Sequence, residues 1–567
     1  MKYTDLLCCP FCGGNLEGEL GQASAGQDYG VLSCDCGRYP IVAGIPILKK
    51  GAIGFINGRP CESYAVIHLI QAQRHREALI SVLLPPRPAA APRDWQEQAE
   101  SVLTRAGGDL TVSDLLAFYF AQVGGWSDST SMDYLVFRFG QPRRLMALAL
   151  AALIDAPDKP VLDLGCGAGH ITSTLVRRSG NQPVIGLDRN FFLLYIAKNW
   201  LAPGASYVCA EADASLPFRD NAFSAVFCSD AFHVFVNKAV CIREMKRLTL
   251  ERGAIILVGL ANNLVNPHPT TLSIDRYESL VADWPHRLIA SGDILARYLR
   301  KEGPALAAPA PSKHLAADPW LSLVASRRTE LFRDYGEFAD WPHADGRLTL
   351  NPLYKIERHD AAGNVHLRQV FLSDHYRQQN SERRFEQLLP ETDCLPETVM
   401  EDLARGKRTP ELEAFIEKWV VLGMPEGYMP ANFSHTAAAA RQGEISELDK
   451  YVEKIELIKT SDYLAALIPA GNCFILVDQG AWGVEEIAGR RAIPFLERDG
   501  RYWGLPADDE TAIRELERLR QAGAAFMVFT ESTQWWLHYY FGLRDYLRLK
   551  FRCIVDASRL IVFDLRA

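Results

Sequence analysis

The sequence predicts an α/β protein: a parallel sheet covered by helices on both faces, a cysteine-rich module ahead of it, and a second, smaller α/β domain behind it. Three observations lead there. From residue 160, "PVLDL", "PVIGL", "SYVC", "SAVFCS" and "GAIILVGL" are short apolar, partly β-branched runs separated by helix-length segments, the alternation of a parallel sheet packed on both faces. Five of the thirteen cysteines fall before residue 37. From about residue 450 strand-like and helical runs alternate again: "CFILVDQ", "AIPFLE", a helix over 508–522, "AFMVFT", a helix over 533–549, then "FRCIVD" and "LIVFDL".

In chain order, residues 1–50 form the cysteine module and 51–130 a helical linker or cap. In the latter, "DWQEQAESVLTRAG" and "VSDLLAFYFAQV" carry helical spacing of apolar residues. Residues 131–328 hold the sheet domain, and "LMALALAALI" at 145–154, behind Arg143 and Arg144, reads as a buried helix. Residues 329–449 read as a mixed, mostly helical connecting region, and 450–567 as the C-terminal domain. The Pro/Ala-rich "PPRPAAAPRD" (85–94) and "GPALAAPAPS" (303–312) read as extended linkers.

The 567 residues suffice for roughly three to five domains, each with its own core. A net charge of −8 gives no chain-wide basic footprint, which argues against nucleic acid as the main partner. No apolar run reaches the ~18–20 residues of a membrane span. The start "MKYTDLLCCP" lacks a signal-peptide layout, and scattered cysteines suit a reducing compartment, so the expected location is the cytoplasm.

Cys9-x-x-Cys12 and Cys34-x-Cys36 supply four thiolates in two close pairs, the donor set of a tetrahedral zinc site. Gly13, Gly14 and Gly37 follow the pairs and let the backbone turn back toward the metal. About 50 residues bury too little apolar surface alone, so a metal clamp is physically sensible. Four free buried cysteines are the competing reading, and Cys8 competes as a ligand. Four thiolates close the coordination shell, which makes the expected zinc structural. The pattern "LLCCPFCGGNL … LSCDCGRYPIVAGIPIL" resembles the small zinc-ribbon domains that activate tRNA and protein methyltransferases. The Cys-x-Cys pair departs from their commoner Cys-x-x-Cys.

"VLDLGCGAGH" places Asp163, Gly165, Gly167 and Gly169 at the end of one strand and the start of a helix, where glycines permit sharp turns and close backbone approach to a ligand. Asp188 ends the next strand, where a carboxylate can accept from a ribose diol. Asp213, after the third, can accept from an adenine amino group. This succession closely resembles class I S-adenosylmethionine-dependent methyltransferases over roughly residues 131–328, with "LSLVASRR" similar to their last strand. The resemblance implies a Rossmann-like core with a seven-stranded, mostly parallel sheet. It assigns Asp163, Gly165, Gly167 and Gly169 to the methionine end of the cofactor, Asp188 to the ribose and Asp213 to the adenine. Arg189, Ala214 and Ser229 complete the expected cofactor-binding set.

Methyl transfer from a sulfonium is mostly alignment, and a base helps only when the acceptor must lose a proton. His233, beyond the fourth strand, is the candidate base; its competing reading is loop packing. His170 and His268 are less well placed. Ser229-Asp230-Ala231-Phe232 stands where relatives that methylate planar amino groups carry Asn/Asp-Pro-Pro-aromatic, and "NPLY" at 351–354 falls outside that position. Adenine-N6 and glutamine-amide acceptors are therefore disfavoured, and the expected acceptor is a small molecule or a glycan-pathway intermediate. The alternatives are a ribosomal or transfer RNA methyltransferase and a cofactor-binding, non-catalytic scaffold in glycan assembly. The C-terminal "ESTQWWLHYYFGLRDYL" and "LIVFDLR" resemble small α/β domains of bacterial polysaccharide-assembly proteins. There, Trp535, Trp536, His538, Tyr539 and Tyr540 are either core or an aromatic binding platform.

Overall fold

The structure is a computed structural model that describes residues 3–22, 28–56, 59–84, 111–123, 135–141, 143–154, 159–180, 182–212, 214–235, 237–265, 270–337, 346–371, 390, 392–429, 464, 467–478, 486–487, 489–498, 500–530, 533–534, 536–556 and 560–566. It divides into two units, 1–446 and 447–567. No helix of the described residues is long and apolar enough to cross a membrane.

The first unit opens with a four-stranded antiparallel sheet: β1 (Glu17–Gln22), β2 (Asp28–Cys34), β3 (Gly37–Val42) and β4 (Ile45–Pro46). A hairpin of β5 (Ala52–Ile56) and β6 (Arg59–Glu62) follows, then helices α1 (Ser63–Gln71), α2 (His75–Leu83) and α3 (Val112–Val123). The helix α3 spans the whole of "VSDLLAFYFAQV", whereas 85–110, with one Pro/Ala stretch and "DWQEQAESVLTRAG", lies outside the described residues.

Helix α4 (Arg143–Ala151) leads into the main sheet: β7 (Val161–Leu164), β8 (Val184–Asp188), β9 (Ser206–Cys209), β10 (Phe223–Ser229), β11 (Thr249–Ala261), β12 (His286–Ala290) and β13 (Trp320–Ser326). The seven strands lie in the order β12-β13-β11-β10-β7-β8-β9. Only β13 runs against the others, pairing antiparallel with β11 and β12. All four residues of β7 are buried, as a strand covered on both faces requires. The strand order reverses between β7 and β10, so a crevice opens at their carboxyl ends, where open α/β sheets place ligands.

The N-terminal module, called the ribbon for its antiparallel strands, seals one edge of this sheet. Ile47 bridges in parallel with Cys209 of β9, and the Leu48 N–H donates to the Cys209 carbonyl at 2.8 Å. Farther along, the Cys8 N–H donates to Pro217 O at 3.1 Å, and the Arg219 N–H to Leu6 O at 2.9 Å. An open strand edge is thereby covered by chain.

Two expectations need correction. Residues 303–312 are not a linker: Leu306 is fully buried, the chain bridges back from Ala305 to Asp334, and Arg287 donates to the Leu306 carbonyl at 3.0 Å. Proline and alanine are equally at home in an extended segment laid over a domain. Nor are the described residues of the connecting region mostly helical. They form β14 (Arg347–Leu350), β15 (Tyr354–His359), β16 (Val365–Gln369), β17 (Thr392–Leu395) and β18 (Val421–Met424), with two helices, Glu397–Arg405 and Pro410–Glu417. Charged residues on the outward faces of these strands hid their two-residue period. Asn351 of "NPLY" is structural: it is fully buried and donates to the carbonyls of Gly140 and Trp419 at 3.3 and 2.9 Å.

The second unit is a six-stranded sheet around Cys473–Val477, flanked in parallel by Arg490–Pro494 and Ala524–Thr530. Strict alternation sends Ile475, Val477, Met527 and Phe529 to one core, and Phe474, Leu476, Phe526 and Val528 to the other. The helix expected over 533–549 is broken into Trp536–Tyr539 and Phe541–Lys550. Trp536 and Tyr540 are core, with Tyr540 donating to Pro506 O at 2.7 Å, while Tyr539 is exposed. Trp535 and the His538 side chain lie outside what is described, and of the described aromatics Trp536 and Tyr540 are packing residues.

Candidate functional site

The glycine loop leaves β7 at the crevice and turns into α5 (His170–Ser179). Gly165, Gly167 and Gly169 all have left-handed φ, +74°, +52° and +85°. A β-carbon on Gly165 would stand 2.7 Å from Ala231 Cβ, and one on Gly169 2.8 Å from Ala197 Cβ, so neighbouring chain excludes side chains there. A β-carbon on Gly167 would meet nothing within 4 Å. The middle of the loop faces open space. Its backbone is fixed from β8: the N–H groups of Gly165 and Cys166 donate to Leu187 O at 2.8 and 3.1 Å.

Asp188, at the end of β8, latches the same loop. Its Oδ2 accepts from the Gly167 N–H and its Oδ1 from the Asn190 N–H, both at 2.9 Å. Asn190 in turn caps helix α6 (Phe191–Ile196), accepting from the N–H groups of Phe192 and Leu193. Each carboxylate oxygen keeps a further lone pair for a ligand. Burial raises the Asp188 carboxyl above its ordinary range, against these backbone hydrogen bonds and the nearby Arg189 and Lys49 charges.

Asp163 is buried beneath the loop and accepts from the Thr172 hydroxyl at 2.6 Å. Burial, joined by repulsion from Asp188, lifts its carboxyl to about 7 against the Thr172 hydrogen bond and the Arg138 charge. The folded chain thus keeps a proton that the unfolded chain gives up near ~3.9. This residue's stabilisation is full below ~4 and is lost as pH rises to about 7. Asp163→Asn should therefore narrow the difference in urea-unfolding free energy between pH 5 and pH 8. An unchanged difference would place the titration elsewhere.

Across the crevice, Ser229 ends β10, and its buried Oγ has no hydrogen-bond partner among the described residues. Asp230 follows at φ +53° and pairs with Arg138 NH2 at 2.6 Å, both side chains nearly inaccessible. His233 lies on the turn Phe232–Val234, half-buried, its ring edge-on to Trp320 at 5.8 Å. The Lys238 ammonium ties that turn down, donating to the carbonyls of His233 and Phe235 at 3.0 and 2.6 Å. His170 is buried, its Nε2 hydrogen-bonded to Tyr428 OH at 2.7 Å, and burial with the Arg138 and Arg144 charges keeps it neutral. It is a packing residue.

The structure thus brings Asp163, the three glycines, Asp188 and Ser229 around one crevice. Arg189 is exposed beside Asp188, its carbonyl accepting from Lys49 at 3.2 Å. Ala214 is exposed on the loop after β9. Asp213 and His268 lie outside the described residues. Sequence reading missed Arg138 and Lys49. Lys49 reaches from the ribbon to Glu211 at 2.9 Å, beside the loop that carries Asp213.

In the ribbon, Cys9, Cys12, Cys34 and Cys36 place all four sulfurs within 4.8 Å of one another. The separations for Cys9–Cys36, Cys34–Cys36 and Cys12–Cys34 are 3.4, 3.5 and 3.7 Å. Four sulfurs bound ~2.3 Å from a tetrahedral centre would stand ~3.8 Å apart, so the group fits zinc. Cys8 is outside the cluster, buried on the side of Arg219 and Arg247. Although burial opposes it, hydrogen bonds from Tyr39 and the Phe11 and Cys12 N–H groups bring the Cys9 thiol down to about 6. Cys12→Ser with Cys34→Ser should cost the full chain about one zinc by metal analysis, and full retention would reject the assignment.

Residues 162–257 match the family model described as "Methyltransferase domain". The trans-aconitate 2-methyltransferase of Sinorhizobium medicae is 29% identical over 133 residues, covering 24% of this chain and 50% of that protein. The demethylmenaquinone methyltransferase of Renibacterium salmoninarum is 29% identical over 135 residues, covering 24% and 55%. The chain thus spans about half the length of these relatives. Among solved structures, the complex between the Haloferax volcanii Trm112 methyltransferase activator and a methyltransferase is 19% identical, with 36% of this chain and 96% of that chain covered and a TM-score of 0.27. Residues 162–257 thus resemble a methyltransferase domain, and the glycine loop they contain lies at the switch point of the seven-stranded, mostly parallel sheet.

Proposed function

We propose that the chain transfers a methyl group from S-adenosylmethionine to a small molecule or glycan-pathway intermediate, with a structural zinc in its ribbon. The observation that carries this reading is the Asp188–Gly167 latch beneath an open space at the middle of the glycine loop. The orphaned Ser229 hydroxyl at the same crevice also fits a bound ligand. Two relatives named for small acceptors, trans-aconitate and demethylmenaquinone, support the substrate class.

The cofactor supplies a methyl group already activated by its sulfonium, so the protein's task is largely orientation. Asp163 and the glycines hold the methionine end, Asp188 the ribose diol and Asp213 the adenine amino group, with Arg189, Ala214 and Ser229 around them. His233 accepts the proton of a hydroxyl or amine acceptor.

Asp188→Ala tests the binding assignment. It removes an acceptor for charge-assisted hydrogen bonds of roughly 1.5–3 kcal/mol each and also frees the loop. Calorimetric titration should show S-adenosylmethionine affinity falling at least ~10-fold. NADH should not bind measurably to either protein. Unchanged affinity would reject the ribose role, and labelled methyl transfer from the cofactor to a fractionated lysate would identify the acceptor.

A further inference from the structure

The connecting region carries a second convergence of metal-binding side chains. Strands β15, β16 and β17 form an antiparallel sheet in which His366 pairs directly with Cys394. The two-residue period sends Val365, Leu367 and Leu395 into the core, and His366 and Cys394 together onto the opposite, half-buried face. The turn between β15 and β16 brings Asp360 over the same spot. Its Oδ1 accepts from the N–H groups of Ala362 and Asn364, and its Oδ2 from Asn364 Nδ2, all at 2.9 Å.

Both the carboxylate and the thiol approach the same imidazole nitrogen. Asp360 Oδ2 is 3.2 Å and Cys394 Sγ 3.8 Å from His366 Nε2, and the three atoms lie within 4.8 Å of one another. A nucleophile–base–orienter triad would use both ring nitrogens, so this arrangement is not one. It has instead the separations of a shared cation. Zinc bonded at ~2.0–2.1 Å to nitrogen and oxygen and ~2.3 Å to sulfur sets N···O near ~3.3 Å and N···S near ~3.5 Å. A thiolate in the set disfavours magnesium and calcium.

We propose that Asp360, His366 and Cys394 form a second site for a divalent transition-metal cation, zinc above all, with three protein ligands and an open fourth position. Arg358 NH2 stands 3.4 Å from His366 Nδ1. Metal on Nε2 puts the ring proton on Nδ1, so the guanidinium moves away from that nitrogen when the cation binds.

The site is separable from the four-cysteine cluster. Full chain loaded with zinc and dialysed should lose about one ion in His366→Ala, and again about one in Cys394→Ser, on metal analysis. Both residues lie on the outer face, and circular dichroism checks that the variants fold. In the unaltered chain, saturating zinc should slow iodoacetamide alkylation of Cys394 at least ~10-fold, read by peptide mass spectrometry, because a coordinated thiolate is a poor nucleophile. Unchanged zinc content in both folded variants overturns the proposal. So does a Cys394 alkylation rate indifferent to zinc.

Discussion

Asp230→Ala should destabilise the first unit by about 3–5 kcal/mol, because it strands the guanidinium of Arg138 in the interior without this carboxylate. The two side chains are 4% and 5% exposed and 2.6 Å apart, so the pair is held largely out of water. The double variant Arg138→Met/Asp230→Ala should recover much of the loss, since an apolar replacement of a buried pair is often close to neutral. Urea unfolding of the three proteins gives the comparison. A loss below about 1 kcal/mol in Asp230→Ala, the range of a solvated surface pair, would refute the argument. Asp230 directly follows Ser229 at the crevice, so cofactor affinity should fall with stability.

His233→Ala should lower turnover by ~10²–10⁴-fold with little change in cofactor affinity, the signature of a lost general base. The acidic limb of the rate–pH profile should vanish with the ring. The two lysine-held carbonyls fix the turn, so alanine should leave the backbone in place. If the loss is under ten-fold and the limb persists, His233 only packs the turn, and the acceptor is one already ionised.

What could be read from the sequence was what neighbouring residues encode together. The strands of the main sheet are continuous apolar runs, the loop announces itself by three glycines, and Asp188 stands where its strand ends. The cysteine pairs needed only their spacing. Contacts between distant residues left no such trace. Arg138 and Asp230 are 92 residues apart, and His170 and Tyr428 258 apart, and no local pattern links either pair. The strands of the connecting region were misread because "VHLRQ" buries only one face and "YKIERH" buries only Tyr354, which lowers their mean apolarity to that of a surface helix. His366, Cys394 and Asp360 were hidden for the same reason.

The docking of the ribbon along β9 is an event within one molecule. The main-chain bonds from Leu48, Cys8 and Arg219 form between segments already tethered to each other. Because both sides belong to one chain, the seam need not have the affinity required of two dissociable proteins. It should therefore survive dilution, and separating it requires local unfolding rather than dissociation. Because Lys49 spans the seam to Glu211 and the Arg189 carbonyl, whatever loosens the ribbon also withdraws a positive charge from beside Asp188. Any ion held by the four cysteines and any ligand held at the glycine loop would then be linked, each changing the other's affinity by the same factor.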